Sequence, residues 1–280
     1  FRSNYYSTLA SNASLFTMKH HFHSNTKYYD KELFGARDII VGENPVLSIF
    51  KNNNYKTFLL LEKSYLLVNR PKIFYDSSNV GLNEVSYFTR GFDMNKNLKN
   101  DLRHTILKNR NTNNFYFIEK LEPGHIAVKK STSQGAEGER IAYLKDVKDA
   151  NNWLKSIIEI INEYDKNSLV VIVADHGGFV GFQSTSESRF KQQDRALVKS
   201  IFSSILAIKW PNNEIPHFDN RLKTSVNLFR ILCAYLGENE TYLKHLQEDK
   251  SYIPIIKGAS PGIYEYINEA GEVVFKPVSD

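Results

Sequence analysis

The stretch VVIVADHGGF, residues 170–179, joins a strand-like run to side chains that can bind a metal ion. Its apolar, β-branched beginning predicts a buried strand, and Asp175 and His176 follow at the strand's end. A carboxylate oxygen beside an imidazole nitrogen suits zinc or manganese better than calcium. Gly177 and Gly178 permit the sharp turn that would let both side chains face one ion. The pair also has a purely structural interpretation, since an Asp can cap the next element and a His can hydrogen-bond locally.

Strands and helices alternate along the chain, which predicts a mainly parallel sheet with helices on both faces. The strongest helical segment is ERIAYLKDVKDANNWLKSIIEIINEYDK, and the last residues predict a hairpin, GIYEYINEAGEVVFKP. Ligands bind at the carboxyl ends of strands in such sheets, so the fold would deliver Asp175 and His176 to a site. The apolar stripe expected on the long helix consists of Leu144, Val147, Leu154, Ile158 and Ile161.

Composition places the chain among ordinary globular proteins and argues against nucleic acid as a partner. The 280 residues are 41% hydrophobic and 24% charged, enough for one large core. The net charge of +5 is spread along the sequence without a block of like charges. It is compatible with an ordinary basic surface and with anionic lipid or phosphate-bearing substrates. One cysteine excludes an internal disulfide, and no window of about 18 uncharged apolar residues predicts a membrane span.

Five segments in register resemble the sulfatase and alkaline-phosphatase superfamily. They are NNNYKTFLLLEK, FYFIEKLEPGH, LVVIVADHGG, SSILAIKWPNN and TSVNLFRILCAYLG. The resemblance implies a three-layer α/β/α sandwich with a mostly parallel central sheet. It also implies one catalytic domain, residues 1–250, with residues 251–280 as a tail or hairpin packed on it. The family's first strand, which carries a metal-binding acid, is expected upstream of Phe1.

Within this resemblance, the segment NYYSTLASNAS corresponds to the family's nucleophile region. It lacks the CxPxR motif of formylglycine sulfatases and is similar to the Thr-x-x-Ser pattern of phosphoethanolamine and phosphoglycerol transferases. Thr8 would then be the nucleophile and a ligand of the metal, with Ser11 behind it. A metal and the positive end of a helix would help its hydroxyl ionise. Otherwise Thr8 only caps a helix.

The same resemblance implies that His125 contacts the transferred group or a second metal, and that Lys63 binds the anionic group. Without the resemblance, His125 would be an ordinary loop residue and Lys63 a solvated surface residue. The cluster HHFH, with His20, His21 and His23, is a further possible metal site or a set of packing residues. No histidine follows Asp175 and His176 by a dozen residues, as it usually does in the transferases, which leaves a second metal site in question.

The implied function is a metal-dependent transferase, with zinc as the expected metal and manganese as a second choice. It would move a phosphoethanolamine- or phosphoglycerol-type group from a phospholipid to a glycan or lipid acceptor through a phosphothreonine. The implied location is the bacterial cell envelope, facing the periplasm or the exterior, with membrane attachment through a segment outside this chain. Two alternatives remain open: a phosphate- or sulfate-ester hydrolase of the same superfamily, and a degenerate domain that binds glycans or partners without catalysis.

Overall fold

The protein is a mixed α/β structure, seen in a computed structural model that describes residues 1–20 and 29–278. No helix in this part of the chain is long and apolar enough to cross a bilayer. In chain order the helices are α1 Thr8–Thr17, α2 Tyr29–Val41, α3 Pro45–Asn52, α4 Leu98–Asn109, α5 Gly135–Tyr164, α6 Arg195–Phe202 and α7 Leu228–Leu236. The strands are β1 Tyr55–Leu61, β2 Ser77–Ser78, β3 Asn113–Glu119, β4 Val170–Val173, β5 Leu206–Lys209, β6 Ser251–Ile255, β7 Gly262–Ile267 and β8 Val273–Pro277.

A parallel three-stranded sheet, in the order β2-β1-β3, carries helices on both faces. Alternate residues of β1 point to opposite sides of the sheet. Leu59 and Leu61 join the core formed with α1, α3 and α7, whereas Leu60 packs with residues of α4 and α5. This two-sided burial explains why FLLL is uniformly apolar. The predicted combination of a parallel sheet and flanking helices is therefore present around β1.

The pairing of β4 corrects one expectation, because its only hydrogen-bonded neighbour among the described strands is the antiparallel β5. Val170 faces Lys209 and Val173 faces Leu206 in this ladder. The residues of β4 are half-buried rather than buried on both faces. An apolar run alone did not distinguish a strand with two neighbours from one with a single neighbour.

The long helix α5 is present, but its buried stripe differs from the predicted one. Leu144 is 52% exposed, and the buried apolar positions are Ala150, Ile157 and Ile160. The predicted stripe failed in the first half of the helix, where exposed residues predominate and only the second half reaches α4 and the sheet. Helical periodicity was correct, whereas the face that meets the core was not.

The last residues form an antiparallel sheet in the order β6-β7-β8, of which only the β7–β8 hairpin was predicted. The amino-terminal residues are attached to this sheet. The Tyr252 amide donates to the Asn4 carbonyl at 2.8 Å, and the Asn4 side chain donates to the Lys250 carbonyl at 2.8 Å. Residues 251–278 thus hold the segment that leads into α1.

Candidate functional site

The turn after β4 is fixed by backbone hydrogen bonds to the last turn of α6. The Gly177 amide donates to the Ile201 carbonyl at 2.8 Å, and the Phe179 amide donates to the Ser200 carbonyl at 3.2 Å. Gly177 and Gly178 are needed because other residues approach them closely, and neither adopts a left-handed backbone. This differs from the reason expected from the sequence, which was a sharp turn of the backbone. A Cβ on Gly177 would lie 2.1 Å from the Ser200 oxygen, and one on Gly178 would meet the Tyr143 ring.

Thr8 is the first residue of α1 and therefore lies at the positive end of that helix. Ser7 is the N-cap, but its side chain accepts no capping hydrogen bond from the helix. The Ser7 hydroxyl is buried and has no hydrogen-bond partner among the described residues. Ser11 hydrogen-bonds the Tyr5 carbonyl at 2.9 Å, so it stabilises the entry to α1.

Thr8, Asp175 and His176 meet in space, although 167 residues of sequence separate the first two. The Thr8 Oγ1 atom lies 3.5 Å from His176 Nε2, and the Asp175 Oδ2 atom lies 3.6 Å from the same nitrogen. Asp175 Oδ1 accepts the His176 amide at 3.0 Å, which fixes the carboxylate against its neighbour. The proximity expected from the sequence is present, and the roles of these residues as nucleophile and metal ligands remain predictions.

The hydrogen bonds of His176 define which ring nitrogen is available for chemistry. His176 Nδ1 lies 2.8 Å from the Gly177 carbonyl oxygen, which can only accept, so Nδ1 carries the proton. In the neutral ring, Nε2 then presents a lone pair toward Thr8 Oγ1 and Asp175 Oδ2. The ring is only 9% exposed, whereas the Asp175 side chain is 29% exposed. The site therefore opens to solvent on the carboxylate side.

These three atoms have the chemistry and spacing of a partial metal site. Two ligand atoms that each lie about 2.1 Å from a zinc ion are about 3.4 Å apart at the tetrahedral angle. The distances of 3.5 and 3.6 Å around His176 Nε2 are close to that value. Two facing lone pairs, on Nε2 and on an ionised Oδ2, also favour a cation between them. The described residues contain no cluster of three or more His, Cys, Asp or Glu side chains that could hold an ion by themselves.

His125 lies beside His176, and its contact with a transferred group or a second metal remains a prediction. Their ring centroids are 6.3 Å apart with nearly parallel planes, and the Phe179 ring meets both histidines edge-on. His125 Nδ1 lies 2.7 Å from the Ile126 carbonyl, so this ring also keeps Nε2 free for another partner. His125 is exposed, and it borders the open side of the site.

Lys63 follows the carboxyl end of β1 and is half-buried, without a recorded contact to Thr8, His125, Asp175 or His176 among the described residues. Its predicted role remains a prediction. Of the HHFH cluster, His21 and His23 lie outside the described residues. His20 hydrogen-bonds the Glu248 carbonyl at 2.7 Å and packs edge-on against Tyr252. It therefore has a structural role between the two ends of the chain.

Glu119 is an acid of this region that the sequence analysis did not select. Its carboxyl group is buried, and neither oxygen has a hydrogen-bond partner among the described residues. Burial, with the nearby Asp175 carboxylate as the next cause, raises the pKa of Glu119 to about 8, and Arg37 opposes this rise. Arg37 also donates to the Tyr65 carbonyl and lies over the Tyr65 ring. A buried carboxyl thus lies within electrostatic reach of Asp175.

A signal for Glu119 was available in the sequence. The run NNFYFIE ends in an acid at the carboxyl end of β3, and Asp175 likewise follows the carboxyl end of β4. Glu62 ends the neighbouring run and donates its amide to the Glu119 carbonyl at 3.0 Å. Its carboxylate is neutralised by an ion pair with Lys120. Acidic residues at the carboxyl ends of strands were therefore the sequence signal that would have identified Glu119.

No protein-family model matches the chain, and no curated protein matches it either. One of eight matching solved chains is described as "Crystal structure of Ps i-CgsB in complex with k-i-k-neocarrahexaose". The TM-score is 0.49 at 11% sequence identity, over 95% of this chain and 73% of that chain. A similarity of this degree assigns neither a family nor an activity to the protein.

Proposed function

We propose that the protein is a metal-dependent transferase of the sulfatase and alkaline-phosphatase superfamily that transfers a phosphoethanolamine- or phosphoglycerol-type group. The observation that carries the proposal is the approach of Thr8 Oγ1, at a helix start, to within 3.5 Å of His176 Nε2, which also faces Asp175 Oδ2 at 3.6 Å. A hydroxyl, an imidazole lone pair and a carboxylate converge there on the exposed side of a buried turn.

The finer fold that belongs to this proposal is a three-layer α/β/α sandwich of the alkaline-phosphatase type. Its support is the parallel sheet β2-β1-β3, with helices on both faces of β1. The antiparallel pair β4–β5 would extend that sheet, with the site at the end of β4. Residues 251–278 would be part of the same unit, because they bind the segment before α1.

The donor in this reaction is a phospholipid with an ethanolamine or glycerol headgroup. Thr8 Oγ1 gives up its proton and forms a bond to phosphorus, while the bond from phosphorus to the lipid oxygen breaks. The lipid oxygen then takes a proton and leaves. In the second step a hydroxyl of a glycan or lipid acceptor gives up its proton and attacks phosphorus, the bond from phosphorus to Thr8 Oγ1 breaks, and Oγ1 takes up a proton in turn.

The residues around Thr8 suit the charges that these steps develop. The amino end of α1 stabilises negative charge on Oγ1 and on the transferred group. His125 and Lys63 would stabilise the equatorial oxygens. Asp175 Oδ2 and His176 Nε2 would hold zinc or manganese, which supplies Lewis-acid chemistry and lowers the pKa of the Thr8 hydroxyl.

In this proposal the protein works in the bacterial cell envelope, on the periplasmic or outer face, since its donor is a membrane lipid. Attachment to the membrane would come from a segment outside this chain. The lipid headgroup is anionic or zwitterionic, so the excess of positive charge on the chain is compatible with the proposal.

The test is mass spectrometry of the full-length protein incubated with zinc and vesicles of phosphatidylethanolamine or phosphatidylglycerol. The expected result is a phosphoethanolamine or phosphoglycerol adduct on the peptide that contains Thr8, absent from Thr8→Ala. Thr17→Ala, at the other end of α1, is the matched control and should keep the adduct. Robust turnover by Thr8→Ala would refute Thr8 as nucleophile and leave an activated water as the attacking group.

Two other functions rest on specific observations. A hydrolase of phosphate or sulfate esters would use the same three atoms, with water as the only acceptor, and product analysis with and without an added glycan distinguishes it from a transferase. A binding domain without catalysis is favoured by the lack, in the described part of the chain, of a three-residue His, Cys, Asp or Glu cluster. Neither zinc binding nor an adduct would then be observed.

A further inference from the structure

The loop of residues 86–93 displays three aromatic side chains to solvent. Phe88 is fully exposed at 103%, Tyr87 is 80% exposed, and Phe92 is 56% exposed. Single exposed aromatic residues are common, but three within eight residues form a local apolar surface. Aromatic rings offered to solvent in this way are typical of binding surfaces.

Hydrogen bonds within the loop hold its backbone in one conformation. The Asp93 carboxylate accepts from the hydroxyls of Ser86 and Thr89, and the Gly91 amide donates to Thr89 Oγ1 at 2.8 Å. Gly91 has a φ of +86°, and a Cβ there would lie 2.5 Å from the Tyr65 Cα atom. The loop therefore packs tightly against Tyr65, and hydrogen bonds fix the backbone that carries its aromatic side chains.

Arg70 orients the Tyr87 ring of this surface. Its guanidinium lies 3.8 Å from the centroid of the Tyr87 ring, and its two Nη atoms donate to the carbonyls of Leu82 and Val85. One face of Tyr87 is covered by this fixed cation, and the ring remains 80% exposed. Ordering the ring in advance lowers the entropy cost of stacking a ligand on its other face.

The loop is adjacent to the candidate site through Tyr65. Phe92 stacks on the Tyr65 ring with centroids 5.4 Å apart, and Arg37 lies on Tyr65 at 4.7 Å. Burial raises the pKa of Tyr65, and the carboxylates of Glu119 and Asp175 add to this rise. Tyr65 therefore contacts the aromatic loop and lies within electrostatic reach of Asp175.

We propose that residues 86–93 form a subsite for a carbohydrate chain, with the rings of Tyr87, Phe88 and Phe92 stacking on sugar faces beside the candidate site. The inference rests on the proposed function and specifies its acceptor as a glycan. Sugar rings present apolar C–H faces and hydroxyl edges, which match aromatic rings surrounded by both donors and acceptors.

The charges around the loop favour a sugar chain over an anionic lipid surface. Arg90 and Asp93 are exposed, and Glu84 near them is paired with Lys96, so the rim carries both signs. Anionic bilayers are recognised by clusters of about four to eight Lys and Arg side chains, whereas residues 86–93 contain only Arg90. Sugar hydroxyls, in contrast, can donate to Asp93 and accept from Arg90.

The test is affinity electrophoresis of the full-length protein through gels that contain xylan, dextran, polygalacturonate or chondroitin sulfate. At least one polysaccharide should retard the protein, and Tyr87→Ala and Phe88→Ala should each reduce its affinity about tenfold. Ile215→Ala removes an equally exposed apolar side chain, 69% accessible, and should leave retardation unchanged. Thr8→Ala should also keep full retardation, so loss of the proposed chemistry does not affect this assay.

Retardation by none of the four polysaccharides, or equal retardation of wild type and both loop variants, would overturn the subsite. Binding to phosphatidylglycerol vesicles that is lost in Phe88→Ala, without polysaccharide binding, would also overturn it and identify a membrane contact. A Thr8 adduct in the absence of polysaccharide binding would leave the proposed function intact while removing the subsite. Circular dichroism and melting temperature confirm that each variant is folded.

Discussion

Replacing Glu119 by glutamine should remove a large part of the pH dependence of stability. The pKa of Glu119 is raised from 4.5 to about 8, mainly by burial and then by the charge of Asp175. The folded protein therefore binds this proton more tightly than the unfolded chain does. Stability from this group is fully present below pH 4.5 and is lost as the pH rises to about 8.

The size of this change in the free energy of unfolding follows from the change in the pKa of Glu119. A difference of about 3.5 units at about 1.36 kcal/mol per unit gives about 5 kcal/mol between the two pH limits. This is an upper value, because water entry and small movements of Arg37 reduce the cost of ionising a buried carboxyl. We expect Glu119→Gln to match wild type near pH 4 and to be more stable by about 2–5 kcal/mol at pH 9.

The assay is urea unfolding of both proteins between pH 4 and pH 9, with a chelator present so that bound metal does not contribute. Glu159→Gln is the matched control, since it removes an exposed carboxyl on α5 and should leave the pH profile of wild type unchanged. Parallel profiles for wild type and Glu119→Gln would refute the argument, because they would mean that Glu119 ionises as freely in the folded protein as in the unfolded chain.

Two further predictions concern the turn after β4. Asp175→Asn should fold normally, because an amide oxygen can still accept a hydrogen bond from the His176 amide. The rise in its melting temperature on addition of zinc should be at most half that of wild type. An equal rise in both proteins would exclude Asp175 as a ligand. Gly177→Ala should destabilise the protein by about 1–3 kcal/mol, since its Cβ would lie 2.1 Å from the Ser200 oxygen. Gly124→Ala, which meets nothing within 4 Å, should have a much smaller effect in the same urea titration, and a similar loss in both variants would contradict this reasoning.

The fold around β1 was predictable because its signals are local. The strand FLLL is apolar on both faces, and α3 begins with Asn44 capping the Leu47 amide and Pro45 at the first position. The direction of β5 relative to β4 was not predictable in this way. Parallel and antiparallel neighbours bury the same apolar residues, so the choice depends on the path of the chain between them.

The positions of the candidate site residues were predictable where reactive side chains lie at the start or end of a helix or strand. Asp175 and His176 follow β4, and Thr8 begins α1, so each had a defined position before their proximity was known. The aromatic loop had no such signal, because Tyr87, Phe88 and Phe92 lie in a polar, irregular segment. Tyr87 contacts Arg70 and Phe92 contacts Tyr65, and neither partner carries a sequence pattern that marks it.

The attachment of the amino-terminal residues to β6 has a consequence for the order of folding. Ser251 Oγ donates to the Ser3 carbonyl, and Tyr252 pairs with Tyr5, across nearly the whole length of the chain. Closing so long a loop is slow compared with forming the local contacts of β1 and β3. During synthesis the segment that positions Thr8 is made long before residues 250–252, so it has these hydrogen-bond partners only once they are present. The core around β1 can therefore form before the segment that positions Thr8 is held in place.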